Sequence, residues 1–252
     1  MNINIDFDNP SVRLPLAFVL DTSGSMAWDN PKPIDLLNEG LQHFKEEIEK
    51  DEVALMALEV ALINCGEKVE VMKDFENAYN LNFPKLSASG GTPLGQAVEL
   101  AVKSLHERKE LYNQSGIQYY QPMLVLMTDG FATDDTSGSI KLVKELCNNR
   151  KLTVVNIAIG NSADLDTLKK FHPDNEVYGK NIGTNFHTMS NYSGTHSRYI
   201  NGMYATQNTY KKYERITNII TDTKENEEFY KYKIRKVDTI STKILKLKKL
   251  IL

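Results

Sequence analysis

Two cysteines and one tryptophan are all that a chain of 252 residues contains of these two types. Cys65 and Cys147 stand apart, with no second Cys or His at the short spacings that hold zinc. That pattern excludes a disulfide scaffold or a zinc module, and the thiols read as free in a reducing compartment. No apolar run approaches the ~20 residues of a membrane span. The first residues, Met1-Asn2-Ile3-Asn4-Ile5-Asp6, place polar and acidic groups where a secretory leader needs a basic start and an apolar stretch. A cytoplasmic protein with no membrane partner is therefore expected. Net charge is also small, a formal −3 at pH 7, which gives no global attraction to nucleic acid. The five histidines form no pair at metal spacing, and no Ser-His-Asp or Cys-His set can be assembled from them.

What is present is enough apolar sequence, 41% of the chain, to bury one substantial core. Charge is distributed unevenly: from Lys211 onward there are 12 Lys/Arg against 6 Asp/Glu, and before it 18 against 27. An acidic body thus carries a basic end. Apolar runs alternate with helical patterns, which predicts an α/β fold with a doubly wound, mostly parallel sheet and helices on both faces. Leu14 to Leu20 is too uniformly apolar to have a wet face, and it reads as a buried first strand. Ile34, Leu37, Leu41, Phe44 and Ile48 recur at helical spacing. Val53 to Ile63 reads as the second strand, and Lys68 to Phe75 as an antiparallel edge strand joined to it by a short Gly-containing turn. Leu94 to Leu105 is a second amphipathic helix, with Pro93 at its first position and Thr92 as its N-cap. Met123 to Met127 and Thr153 to Ile159 are further strands, each followed by a helix, Ile140 to Leu146 and Ala163 to Phe171.

Chemistry gathers at the carboxyl ends of those strands. Asp21-Thr22-Ser23-Gly24-Ser25 follows the first strand and sets one carboxylate and two hydroxyls at alternate positions, with Gly24 free to let the chain curl. Gly90-Gly91-Thr92-Pro93-Leu94-Gly95 brings another hydroxyl, and Thr128-Asp129-Gly130 a second carboxylate. In a doubly wound sheet these loops open onto one edge. All the donors are oxygens, which suits a hard cation such as Mg²⁺. Each feature also has a plainer role, since an isolated Asp-x-Ser-x-Ser can cap backbone amides and Thr92 can be only a helix cap. Trp28, just past the first loop, is either a partner-contacting anchor or a residue at the core's edge. Asp134 and Asp135 read chiefly as caps of the following helix.

Asp-x-Ser-x-Ser, the Gly-Gly-Thr-Pro loop and the strand-terminal Thr-Asp-Gly, in that order, resemble the metal-ion-dependent adhesion site of the von Willebrand factor type A domain. The resemblance covers 11–172. With Leu37-Asn38-Glu39-Gly40 and Thr133-Asp134 included, the pattern is most similar to the bacterial intracellular TerY/YegL-like branch related to tellurite resistance. It implies a Rossmann-like fold in which Asp21, Ser23, Ser25, Thr92 and Asp129 hold Mg²⁺, with Mn²⁺ as the alternative ion. It also implies a non-enzymatic role: a protein partner completes the metal shell with an Asp or Glu, in a stress-response or tellurite-resistance assembly with a kinase or phosphatase as partner class. Two carboxylates only neutralise a dication, so such a metal would still accept an anionic oxygen. The competing reading is a Mg²⁺-dependent hydrolase or phosphatase with Asp21 as nucleophile. It lacks a second aspartate at the position of Ser23 and a general acid or base.

Beyond His172 the sequence changes, with 8 of the 12 tyrosines and abundant Asn, Thr and Ser. The segment 173–252 reads as a divergent region with a basic end, either poorly ordered or altered by a reading-frame shift. Ile240 to Leu252 alternates Lys with Ile and Leu as a short basic helix would.

Overall fold

The uniformly apolar first run forms β1 (Leu14–Asp21), buried along its whole length. It lies between two parallel partners, β2 (Leu58–Cys65) and β4 (Met123–Thr128), and a strand covered on both faces favours apolar side chains until its carboxyl end, where Asp21 stands. This arrangement comes from a computed structural model that describes residues 5–179 and, farther on, 198–200 and 203–205. Sheet order is β3-β2-β1-β4-β5-β6. β3 (Val69–Asn77) runs antiparallel to β2 at one edge, while β5 (Thr153–Ala158) and β6 (Tyr178–Gly179) continue the parallel set at the other. The α/β class, the mostly parallel sheet and its antiparallel edge strand are as the alternation predicts.

Helices cover both faces. α1 (Pro33–Glu49) buries the predicted stripe Ile34, Leu37, Leu41, Phe44 and Ile48, and Phe44 meets Phe18 of β1 edge-on at 5.2 Å between ring centroids. Ala17 and Val19 alternate to the opposite face. There they join a cluster with Leu94, Ala97 and Val98 of α3 (Leu94–Gln114), Val143 of α4 (Ser137–Asn148) and Phe171 of α5 (Leu165–Phe171).

One element departs from expectation. The run read as a strand over Val53 to Ile63 begins as a short helix, α2 (Glu52–Ala57), and becomes β2 only at Leu58. Asp51 caps that helix, its carboxylate accepting from the amides of Val53 at 3.0 Å and Ala54 at 3.2 Å. The cap satisfies amides that a strand would have paired elsewhere, and Ala, Leu and Met favour the helix.

At the amino ends of the strands, opposite the loops singled out above, lies a buried ionic cluster. Glu59, fully buried, accepts from Arg13 Nε at 3.2 Å and Arg108 Nε at 2.8 Å, and from the Tyr112 hydroxyl. Arg13 also donates to the carbonyls of Asp6 and Asn9, tying the segment before β1 to the sheet.

Past Gly179 the described residues form a separate unit, a hairpin of β7 (Arg198–Ile200) and β8 (Met203–Ala205). The rest of the region expected to be poorly ordered or frame-shifted, with the basic helix expected over 240–252, lies outside the described residues. Among the described residues no helix is long and apolar enough to cross a membrane.

Candidate metal centre

The chain leaves β1 toward β2 and leaves β4 toward β5, so connections diverge between these neighbouring strands and open a crevice beyond their carboxyl ends. Leu20 is in register with Met127, which puts Asp21 beside Thr128 and just ahead of Asp129. The first carboxylate is fully buried and held from both sides. Asp21 Oδ1 accepts from the Ser23 amide at 2.8 Å, and the Thr128 hydroxyl donates to Oδ2. Next to it the hydroxyls of Ser23 and Ser25 lie 2.9 Å apart, brought together by a single 3-10 turn over Gly24–Ala27.

The Thr92 loop is fastened to this turn by backbone bonds. Gly24 donates to the Gly90 carbonyl at 2.9 Å, and Ser89 donates to the Thr22 carbonyl at 2.7 Å. Gly90 has φ +80°, and a Cβ there would fall 2.6 Å from Glu67 Cα, so only glycine lets the loop approach this closely. Thr92 itself is buried, yet it is not the N-cap expected of it. Pro93 takes that position, and the first free amides of α3, Gly95 and Gln96, donate to Asp134 at 3.0 and 2.9 Å. Among the described residues no hydrogen bond engages the Thr92 hydroxyl. Asp129 is 4% exposed; its Oδ1 accepts from the Phe131 amide at 3.2 Å, and its carbonyl accepts from the Asp164 amide at 2.6 Å. The loops bearing Asp21, Ser23, Ser25, Thr92 and Asp129 thus converge at one end of the sheet.

Residues 16–131 match the von Willebrand factor type A domain. No curated protein matches the chain. Among solved structures the chain is similar to proximal thread matrix protein 1 of the mussel byssus, at 16% identity and TM-score 0.47 over 67% of this chain and 44% of that one. It is similar to manganese-loaded TRAP protein of Plasmodium vivax, at 16% identity and TM-score 0.47 over 63% and 62%. A third is an aerotolerance-related membrane protein of Bacteroides fragilis, at 14% identity and TM-score 0.47 over 70% and 96%. The chain spans less than two thirds of the length of the first two. At such identities and scores the structural likenesses carry no part of the site assignment.

Within the matched segment, burial controls the electrostatics. Desolvation raises the Asp21 pKa from 3.8 to about 6 against the lowering effect of its hydrogen bonds to Ser23 and Thr128, and the nearby Asp129 charge raises it further. None of the groups that shift it is a cation. The site therefore buries negative charge beside neutral hydroxyls with no built-in counter-charge, which fits a hard divalent ion. Among the described residues no three His, Cys, Asp or Glu side chains gather as a metal cluster, so a cation here depends on the hydroxyls.

Ser25 and Asp129 also line a shallow cleft with Trp28, Pro33, Phe131 and Ile159. Trp28 is 71% and Phe131 48% exposed, so of the two roles open to Trp28 the core-edge one is not realised. Asp29 fixes the lip beneath Trp28 by accepting from the Asn161 amide at 3.2 Å and the Ser162 hydroxyl at 2.9 Å. Sequence reasoning missed Asp29 and Thr128 as site residues. Thr128 had a signal, as the polar end of an apolar strand beside Asp129, whereas Asp29 acquires its partners only when the loop after β5 folds over it. Cys65 and Cys147 are free, and burial pushes both thiols up, that of Cys147 to about 12, which disfavours the thiolate of each.

Proposed function

We propose that the type A segment is a non-enzymatic interaction module that binds a protein partner through a divalent cation. Asp21, Ser23, Ser25, Thr92 and Asp129 would hold Mg²⁺, or Mn²⁺ in its place, and an Asp or Glu of the partner would complete the shell. The single observation that carries this reading is Asp21: a fully buried carboxylate, hydrogen-bonded but without a cationic partner, beside two hydroxyls 2.9 Å apart. A bound dication supplies the missing positive charge and a position for one more anionic oxygen. The role of the chain's own residues is to exclude water and orient oxygens. Asp21 and Asp129 bring two negative charges, the hydroxyls bring none, and the exposed Trp28 and Phe131 offer apolar contact beside that position.

The hydrolase reading fares worse on chemistry. It has Ser23 where a second aspartate would stand, and no general acid or base can be assigned beside Asp21. Similarity to the TerY/YegL-like branch supports a cytoplasmic setting in a stress-response or tellurite-resistance assembly with a kinase or phosphatase partner, and 11–172 as the working domain. The test is partner capture on immobilised protein in Mg²⁺. Asp21→Ala and Thr92→Ala are expected to lose the partner while keeping the wild-type circular dichroism spectrum. Undiminished capture by both variants would remove the reading, and Mg²⁺-dependent phosphatase turnover abolished by Asp21→Asn would replace it with the enzyme.

A further inference from the structure

We infer that Thr133 and Asp134 are positioning residues for Thr92, holding its hydroxyl ready for the divalent cation; this rests on the metal reading above. A threonine just ahead of a helix ordinarily turns its hydroxyl onto the first free amides. Here that duty is delegated. Asp134, reaching across from the loop between β4 and α4, accepts from Gly95 at 3.0 Å and from Gln96 at 2.9 Å, one amide to each carboxylate oxygen. Thr133 clamps the Thr92 backbone from both sides: its Oγ1 accepts from the Thr92 amide at 3.0 Å and its own amide donates to the Thr92 carbonyl at 2.8 Å.

The glycines of the Thr92 loop stand where the two loops press together. A Cβ at Gly95 would lie 2.7 Å from the Asp135 carbonyl oxygen, and one at Gly91 would lie 3.2 Å from Thr133 Oγ1. With the helix amides satisfied from outside and the backbone pinned, the Thr92 side chain is free of local hydrogen bonds among the described residues. Asp134 thus spends both carboxylate oxygens on the start of α3, the task that Thr92 would otherwise take. Asp129 begins the same loop four positions before Thr133, so two donors distant in sequence belong to one tied unit. Partners that orient metal ligands in this way typically change affinity by about 10–100-fold when removed.

The experiment is Mn²⁺ titration of the full chain as wild type, Thr133→Ser, Thr133→Val and Asp134→Ala, with hydrogen exchange followed at the amides of Thr92 to Gln96. Thr133→Ser keeps the accepting oxygen and is expected to bind like wild type. Thr133→Val keeps the shape without that oxygen, and it is expected to bind about tenfold more weakly or worse, with faster exchange at Thr92. Asp134→Ala is expected to weaken binding similarly and to speed exchange at Gly95 and Gln96; if it fails to fold, the Thr133 pair decides alone. Equal Mn²⁺ affinity in the Ser and Val variants overturns the positioning role and leaves the metal reading standing. Absence of Mn²⁺ binding by wild type overturns both.

Discussion

Asp21 is a carboxylate whose ionisation works against the fold that buries it, and this has a sign that can be measured. Its pKa stands at about 6 in the folded chain against 3.8 for the free group. Between those values the folded state holds a proton that the unfolded chain has released, so stability contributed by the protonated form is full below 3.8 and is lost as pH rises toward about 6. Metal-free protein is expected to lose on the order of 3 kcal/mol from this group over that window. Urea midpoints measured from pH 4 to 7 in EDTA check it, and Asp21→Asn should flatten that part of the profile. Gly90 is the other residue with a sharp requirement. Gly90→Ala forces a side chain into φ +80° and against Glu67 backbone, and it is expected to lower the melting temperature by several degrees.

At the scale of elements, α2 and α3 are each begun by a cap, and the two caps differ in how far they could be read from sequence. Asp51 is local to α2, and Asp51→Ala is expected to cost about 1 kcal/mol in a denaturant titration. An apolar stretch such as Val53 to Leu58 fits a buried strand or a buried helix equally by periodicity, and the arbitrating signal was the single Asp51-Glu52 start. The strands and main helices were legible because their apolar positions repeat with period; β1, α1 and the core-facing stripe of α3 fall where the pattern puts them. The cap of α3 was not legible. Asp134 lies 38 residues beyond Gln96, and no local rule connects them before the sheet places their loops together. The same holds for Asp29 and the loop after β5. That the loops bearing the five candidate residues meet was legible because each follows a strand or precedes a helix at the same end of the sheet, which topology alone brings together.

On the scale of the molecule, the two ends of the sheet do different work. One end buries Glu59 between Arg13 and Arg108, both almost fully buried, and fastens the amino-terminal segment. Removing the shared carboxylate strands two guanidinium groups: Glu59→Ala is expected to cost about 3–5 kcal/mol. At a temperature where that variant remains folded, Mn²⁺ affinity should stay at the wild-type value, because the site lies at the opposite end. The other end gathers Asp21, Asp129 and three hydroxyls under a partly apolar rim. Its proposed purpose is to make partner binding conditional on a cation. The most direct measurement is elution of partners from the immobilised wild-type chain by EDTA, followed by rebinding after Mg²⁺ is returned. Full release by EDTA with recovery on adding Mg²⁺ is the predicted result. Partners that stay bound through EDTA washing at physiological ionic strength would contradict it.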